Sequence, residues 1–505
     1  MIGIKLNNMA YEQDIRELLM AFYPGETFEY QGGDLPHSSQ KQADVTVEGI
    51  LSQDRTRFSL ELSFCGSSQF YGFRNLPEDI EEEARQLEEP LSVDYDNRFE
   101  TKNKIKRRLY VLLLFATGKT LPWGTLTGIR PTKIAMTRLR EGQDREQIFD
   151  YMKKTYFTSD EKISLAIEIA EREKKLLELI GCEQGYSLYV GIPFCPTTCL
   201  YCSFTSYPIE KWEKKTGLYL EALFRELDYV AEAKKGCTLD TVYIGGGTPT
   251  SLSAEDLECL LRKLKDTFDF STVREFTVEA GRPDSITREK LRVLKKYGVS
   301  RISINPQTMQ QKTLDLIGRR HTVEEVKEKF IMAREEGFNN INMDLILGLP
   351  KEELKEVQDT LEAVKALGPD SLTVHSLAIK RAARLNTMKE VYKDLKITNT
   401  QEMIDLTARY ARELGMEPYY LYRQKNMAGN FENVGYALLG KACIYNVLIM
   451  EEVQTIIGCG AGTTTKRLFF KENRIERVEN VKDVTLYIEK IDEMIERKRR
   501  MFQSK

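Results

Sequence analysis

The chain has 505 residues, 41% of them hydrophobic and 30% charged. That length predicts two or three domains rather than one core, and that composition excludes a disordered chain. Lys plus Arg number 74 and Asp plus Glu 77, a net charge of -3, which argues against a dedicated nucleic-acid binder with its basic face.

The N-terminal run MIGIKLNNMAYEQDI lacks the basic start and apolar centre of an export signal. The apolar run at 109–116, LYVLLLFA, is far short of the roughly 20 residues that span a bilayer. Nine Cys, an odd number with three bunched, predict the reducing cytoplasm and a metal or redox centre rather than a disulfide framework. The three His are His37, His321 and His375, which excludes a His-rich metal site.

Residues 1–100 read as a small α+β domain. MIGIKL is a strand, and Ile15, Leu18, Leu19 and Phe22 recur at helical spacing. ADVTVEGIL and RFSLELSF alternate as a hairpin does, and the acidic run EDIEEEARQLEE reads as a solvated helix face. Residues 101–185 form a helical segment: one helix ends at Gly118, and another runs from Ser159 as N-cap to Gly181. Between them, LPWGTLTGIRPTKIA reads as a turn packing Trp123 rather than an anion site. From 186 to 390, SLYVGIPF, TVYIGGG, EFTVEA, RISINP, INMDLILG and DSLTVHSLA alternate with amphipathic helices. Six such repeats predict a parallel sheet with right-handed crossovers. No GxGxxG opens the first helix, so a partial (β/α)6 TIM-like barrel is expected rather than a flat dinucleotide fold. Residues 391–505 read as a mainly helical domain with an aromatic patch, EPYYLYRQKN. The class is α/β.

GIPFCPTTCLYCSF sets Cys195, Cys199 and Cys202 in a C-x3-C-x2-C spacing at the C-terminal end of the first barrel strand. Three thiolates this close can hold three irons of a cubane cluster and leave the fourth iron open. A structural zinc site would want a fourth nearby ligand, and none is at hand. Cys65, Cys182, Cys237, Cys259, Cys443 and Cys459 are scattered and read as small core residues. Gly245, Gly246 and Gly247 follow directly on the second strand, where glycines permit close backbone approach and leave N–H and C=O groups to face a ligand. Glu279 ends the third strand, and Asp344 lies inside an apolar strand where an unpaired carboxylate is expensive. His321 reads as a helix-start packing or capping residue, and neither His321 nor His375 is taken as a ligand.

The Cys trio, with LYVGIPF before it and TVYIGGGTPT after it, resembles the signature of radical S-adenosylmethionine enzymes. Within them the chain resembles the oxygen-independent coproporphyrinogen III oxidase family. Its N-terminal extension and its YYLYRQKN…ENVGY segment are similar to the HemZ-like branch. The resemblance implies a [4Fe-4S] cluster on Cys195, Cys199 and Cys202, and S-adenosyl-L-methionine contacted by Tyr189, Tyr201, Gly246, Gly247, Thr248, Glu279, Gln307, Arg319, Asp344 and Ala378. Gly246, Gly247 and Thr248 would take the methionine part. Tyr201 stands where the family often has Phe. The implied reaction uses an electron from the cluster to break the sulfonium C–S bond. The resulting 5′-deoxyadenosyl radical takes a hydrogen from a propionate of coproporphyrinogen III, and loss of carbon dioxide leaves a vinyl group. Two such steps give protoporphyrinogen IX.

A tetracarboxylate substrate needs cations, and Lys380, Arg381 and Arg384 stand just past the sixth strand. Tyr419, Tyr420 and Tyr422 would cover an apolar macrocycle or pack the C-terminal domain on the barrel. The expected partners are a tetrapyrrole substrate and a reductant such as a flavodoxin or ferredoxin, with no nucleic acid, no membrane and a monomeric chain. Two alternatives remain: a radical enzyme that opens or methylates haem, and a non-enzymatic haem chaperone. The chaperone branch carries a late His-Asn pair, whereas ACIYNVLIM here has Tyr445 and Asn446 and lacks the His.

Overall fold

The computed structural model describes residues 1–30, 43–65, 76–181, 185–203, 206–378, 395, 397–424, 431–472 and 474–503. They fall into two compact units: Met1–Ala170 with Arg423–Phe431, and Glu171–Tyr422 with Glu432–Lys505. The four segments expected from the sequence are thus drawn together into two.

The first unit holds a five-stranded sheet in the order β2-β1-β3-β4-β5. Its strands are β1 (Ile2–Leu6), β2 (Phe28–Tyr30), β3 (Val45–Leu51), β4 (Arg57–Phe64) and β5 (Leu91–Ser92). β3 and β4 form the expected hairpin, with Leu51 opposite Phe58. The helix Glu12–Phe22 buries Ile15, Leu18, Leu19 and Phe22, the spacing read from the sequence. The helix Arg98–Thr117 starts at the Asn97 side-chain cap and stops at Gly118 in the left-handed region, where glycine carries no Cβ penalty. Trp123 is fully buried in the turn that follows. There Gly124 has φ +53°, and a Cβ on it would lie 2.0 Å from the Tyr156 carbonyl oxygen. Two short helices beyond this turn, Thr132–Arg140 and Arg145–Tyr156, belong to the expected helical segment, though neither was singled out in it; the second is opened by an Asp144/Gln147 capping box.

The second unit is organised on an eleven-stranded sheet. Its centre is six parallel strands side by side in chain order: β6 (Gly185–Ile192), β9 (Thr238–Gly246), β10 (Glu275–Glu279), β11 (Arg301–Ser303), β12 (Ile341–Leu347) and β13 (Ser371–Ser376). These are the six runs read from the sequence. Between β6 and β9 lies a small pair, β7 (Phe194–Cys195) with β8 (Tyr207–Pro208). Helices Thr216–Ala233, Ala254–Thr267, Arg288–Lys296, Val323–Glu335 and Leu354–Leu367 supply crossovers. Strands covered by helices read as near-continuous apolar runs, as these do.

The C-terminal stretch carries helices Gln401–Glu413, Ile444–Glu451, Val484–Glu489 and Ile491–Gln503, and also five strands that were not expected. β14 (Glu417–Tyr422) and β15 (Asn433–Ala437) extend the sheet antiparallel beyond β13. β16 (Thr455–Cys459) lies parallel to β6, followed by β17 (Thr464–Phe469) and β18 (Arg474–Glu479). This stretch therefore continues the barrel's own sheet at both edges instead of starting a separate domain near residue 391. The aromatic patch of the sequence is largely β14, where Tyr suits a half-buried pleated surface.

A buried network ties this addition to the helix Thr216–Ala233. The Glu226 carboxylate accepts from Lys498 (2.6 Å), Tyr487 (2.6 Å), Asn480 (2.8 Å) and the Gly460 amide (2.8 Å). Four donors offset the cost of an ion pair out of water. Nearby, Tyr219 donates to the Gly191 carbonyl (2.6 Å) and accepts from the Ala461 amide (3.1 Å), pinning the end of β6 just before the Cys loop. Among the described residues no helix is long and apolar enough to cross a membrane.

Candidate functional site

The six parallel strands are buried almost throughout, and the exceptions are informative. Tyr189 on β6, Tyr243 on β9, Glu279 on β10, Asp344 on β12 and His375 on β13 are each half-buried within otherwise buried runs. Tyr422 at the end of β14 is half-buried too. These residues line the interior toward the C-terminal end of the strands, where parallel barrels carry their chemistry.

β6 leads straight into the Cys loop. Cys199 is buried and Cys195 and Cys202 are half-buried, all as free thiols. The loop is fixed by the Leu200 amide on the Ile317 carbonyl (2.9 Å) and the Thr197 hydroxyl on the Gly318 carbonyl (3.1 Å). Cys195 Sγ lies 3.6 Å from Thr248 Oγ1. Arg282, paired with Asp284 at 2.5 Å, donates to Cys199 Sγ (3.6 Å) and to Thr197 Oγ1 (2.8 Å). Arg319, also buried, lies beside Tyr201 and Cys199 and donates to the Asn305 carbonyl (2.5 Å). Burial pushes the Cys195 thiol up to about 11, against the Thr248 bond. Among the described residues no three His, Cys, Asp or Glu side chains converge on one ion position. Three thiols and no fourth ligand suit a cluster whose irons take one thiolate each rather than a single tetrahedral ion.

The glycine loop departs from expectation in one respect. The Gly247 amide donates to the Ile192 carbonyl and the Thr248 amide to the Phe194 carbonyl, both at 2.7 Å. These N–H groups are used internally and do not face a ligand. A Cβ at Gly247 would sit 2.5 Å from the Phe194 carbonyl oxygen, and Gly246 has φ +108°. The glycines let this loop press against the backbone that enters the Cys loop.

Two acids stand inside the barrel in different states. Burial raises Glu279 to about 7; the Tyr243 hydroxyl, 2.6 Å from Oε1, opposes this, and the neighbouring Asp344 adds to it. Asp344 is also pushed up by burial, but His375 and the Asn342 amide (2.7 Å) outweigh that and hold it below the usual carboxylate range. His375 Nε2 is 3.9 Å from Asp344 Oδ2, and its Nδ1 is 3.3 Å from the Tyr422 hydroxyl. Tyr189, Tyr243 and Tyr445 stack on one another at centroid distances of 4.6 to 5.9 Å. Gln307, buried with φ +68°, clamps β12: its amide donates to the Asp344 carbonyl (3.0 Å) and its carbonyl accepts from Ile346 (2.9 Å). Ser303 Oγ, at the end of β11, and Asn305 Oδ1, two residues on, are buried without a hydrogen-bond partner among the described residues. Buried polar atoms are normally satisfied, so these suit a polar cofactor at the strand ends.

The expected residues thus divide. Cys195, Cys199, Tyr201, Thr248 and Arg319 gather around the Cys loop, Tyr189, Glu279 and Asp344 line the interior, and Gln307 supports Asp344 through backbone. Ala378 is half-buried past β13. Lys380, Arg381 and Arg384 lie outside the described residues. His321 is fully buried with neither ring nitrogen partnered among the described residues, while Thr322 forms the capping box of the next helix; packing, not capping, is its part. The sequence reading missed Arg282 and Tyr243. Each had a signal: an Arg-Pro step just after Glu279, and a Tyr two positions before the glycine run.

The profile of the Radical SAM superfamily matches residues 189–364. The chain is 41% identical over 473 residues to the oxygen-independent coproporphyrinogen-III oxidase-like protein HemZ of Bacillus subtilis, covering 93% of this chain and 92% of that protein. It is 40% identical to the heme chaperone HemW of the same organism over 198 residues, 38% of this chain and 51% of the relative. Oxygen-independent coproporphyrinogen III oxidase of Escherichia coli is 31% identical over 224 residues, 44% of this chain and 48% of the relative. Among solved structures, Escherichia coli coproporphyrinogen III oxidase (HemN), described as a radical SAM enzyme, superposes with a TM-score of 0.51 at 24% identity. It covers 62% of this chain and 70% of that one, a likeness of fold.

Proposed function

Because the chain belongs to the radical SAM superfamily, and within it to the HemZ-like branch of coproporphyrinogen-III oxidase-like proteins, we propose that it converts propionates of coproporphyrinogen III to vinyl groups without oxygen, giving protoporphyrinogen IX. The observation that carries this choice over the chaperone is Tyr445. At the position where the chaperone branch has its His, this chain has a phenol ring stacked 4.6 Å from Tyr243 inside the barrel. The likeness to the oxidase-like relative also runs along 93% of the chain, against 38% to 60% for heme chaperones of Bacillus subtilis and Haemophilus influenzae.

The superfamily uses a [4Fe-4S] cluster and S-adenosylmethionine, which when bound supply one-electron reduction and hydrogen-atom abstraction. Cys195, Cys199 and Cys202 would hold the cluster. Arg282 would hold the loop that presents Cys199, through its bonds to Cys199 Sγ and Thr197 Oγ1. Glu279 and Asp344, with Tyr189, Tyr201, Gln307, Arg319, Gly246, Gly247, Thr248 and Ala378, would hold S-adenosylmethionine. The ionised Asp344 accepts hydrogen bonds from an ammonium or from ribose hydroxyls. Glu279 would do the same once deprotonated. The Tyr189–Tyr243–Tyr445 stack gives the interior an apolar wall. Lys380, Arg381 and Arg384 would receive substrate carboxylates, and a flavodoxin or ferredoxin would deliver electrons. The test is anaerobic incubation with a reductant, S-adenosylmethionine and coproporphyrinogen III. Protoporphyrin, after oxidation, and 5′-deoxyadenosine are expected. Stoichiometric haem binding without turnover, or consumption of haem, would overturn the proposal.

A further inference from the structure

We propose that Arg282 raises the reduction potential of a cluster held at Cys199, through a directed N–H bond to the Cys199 sulfur that Asp284 aims and whose charge Asp284 offsets. The inference rests on the cluster assignment above and adds a positioning residue that neither the Cys spacing nor the family resemblance assigns.

Arg282 is fixed at both ends. Its carbonyl accepts from the Ser285 amide (3.0 Å) and the Ser285 hydroxyl (2.7 Å), and that hydroxyl also bonds Thr250 (2.7 Å). One edge of the guanidinium is taken by Asp284, with Nε on Oδ1 at 3.0 Å and Nη2 on Oδ2 at 2.5 Å. A two-pronged pair of this kind fixes the plane of the group. Nη1 remains, and it donates into the Cys loop: to Thr197 Oγ1 (2.8 Å), to the Thr197 carbonyl (3.2 Å) and to Cys199 Sγ (3.6 Å). Arg282 and Cys199 are both buried, so water does not compete for this bond.

The charges around it are accounted for. Burial pushes the Asp284 carboxyl up, but the bond and charge of Arg282 outweigh this and hold it below its ordinary range, so the pair is ionised and close to neutral as a whole. His321 is pushed down to about 3 by burial and by Arg319 beside it, and adds no charge. Arg319 lies near Cys199 as well, with one donor spent on the Asn305 carbonyl.

Reduction adds negative charge that the ligand sulfurs share. A hydrogen bond to such a sulfur strengthens in the reduced state and so favours reduction. The two members of the pair therefore act with opposite sign. Removing Arg282 removes the bond and lowers the potential. Removing the charge of Asp284 leaves the guanidinium unbalanced in a water-poor site and raises it. A residue that only shaped the loop would move both variants the same way.

The test is a redox titration of the full-length, anaerobically reconstituted protein without S-adenosylmethionine, read by electron paramagnetic resonance. Arg282→Met should shift the reduction equilibrium about tenfold toward the oxidised state, or about 59 mV downward for one electron. Asp284→Asn should shift it about threefold the other way. The double variant, which removes both charges together, should still lie about threefold below the wild type, the share of the N–H bond itself. Should Arg282→Met not keep about four irons, Arg282→Gln is read in its place with the same expected direction. Single variants that move the same way, a double variant at the wild-type potential, or loss of iron from every Arg282 variant would overturn the role in potential. Wild-type protein that takes up no iron would overturn the cluster assignment and this inference together. The predicted shifts without any decarboxylation of coproporphyrinogen III would overturn the proposed reaction and leave the role of Arg282 standing.

Discussion

Cys195, Cys199 and Cys202 fall within eight consecutive residues, whereas Tyr189, Tyr243, Glu279, Asp344 and His375 come from five different strands. The loop's shape is set by covalent spacing and by a few bonds close at hand: Thr197 on Gly318, and Arg282 on Thr197 and Cys199. The interior's shape is set by the register of the parallel sheet, which places Tyr189 opposite Tyr243 and Asp344 opposite Thr373. A site written into one short segment stands or falls with its residues together. A site assembled from many strands loses function in graded steps, because each strand is held by its neighbours independently of the side chain it presents.

The sharpest break in that comparison comes from the loop. Replacing all three of Cys195, Cys199 and Cys202 with Ala should take bound iron from about four per chain to none after anaerobic reconstitution. Thermal unfolding should stay near that of the wild type, since the sheet and the Glu226 network do not use these thiols. Iron retained in the triple variant would end the assignment. In the interior, Glu279→Ala and Asp344→Ala should each weaken S-adenosylmethionine binding by about 10- to 150-fold, the worth of a hydrogen bond to a charged group at roughly 1.5–3 kcal/mol. Equilibrium dialysis would read this, and unchanged affinity in both would move the cofactor away from these strand ends. Gly247→Ala, at the junction of the two regions, forces a methyl against the Phe194 carbonyl. It should cost about 1–3 kcal/mol in denaturant unfolding.

The smallest effects concern Glu279. Its ordinary value of 4.5 is raised by burial to about 7, so the folded state holds its proton more tightly than the unfolded chain. The stability this contributes is full below about 4.5 and is lost as pH rises to about 7. Glu279→Gln should flatten that slope in unfolding experiments. Tyr243→Phe removes the bond that opposes burial, so Glu279 should titrate higher still, visible as an upward displacement of the same slope.

The same contrast explains what could be read in advance. The six parallel strands and the Cys loop are contiguous runs, each carrying its own pattern, and both were legible. β14 to β18 were not: EPYYLY reads equally as an aromatic patch, and TIIGC is too short to declare itself without β6 beside it. The helices Thr132–Arg140 and Arg145–Tyr156 are short and weakly apolar. Tyr243 on Glu279 and His375 on Asp344 depend on which strands lie side by side, a property of topology rather than of any local segment. Arg282 on Cys199 joins residues 83 apart in the chain, across a turn whose path no local motif announces.

The central claim, that this barrel performs radical chemistry on a propionate, can be tested on a single atom. Forming a vinyl group with loss of carbon dioxide requires a hydrogen to leave the propionate carbon next to the ring. Coproporphyrinogen III deuterated at that carbon would be supplied with S-adenosylmethionine and reductant under anaerobic conditions, and the 5′-deoxyadenosine analysed by mass spectrometry. The account predicts one deuterium in each 5′-deoxyadenosine formed, with matching release of carbon dioxide. 5′-Deoxyadenosine free of deuterium, with the substrate's four carboxylates intact, would contradict it.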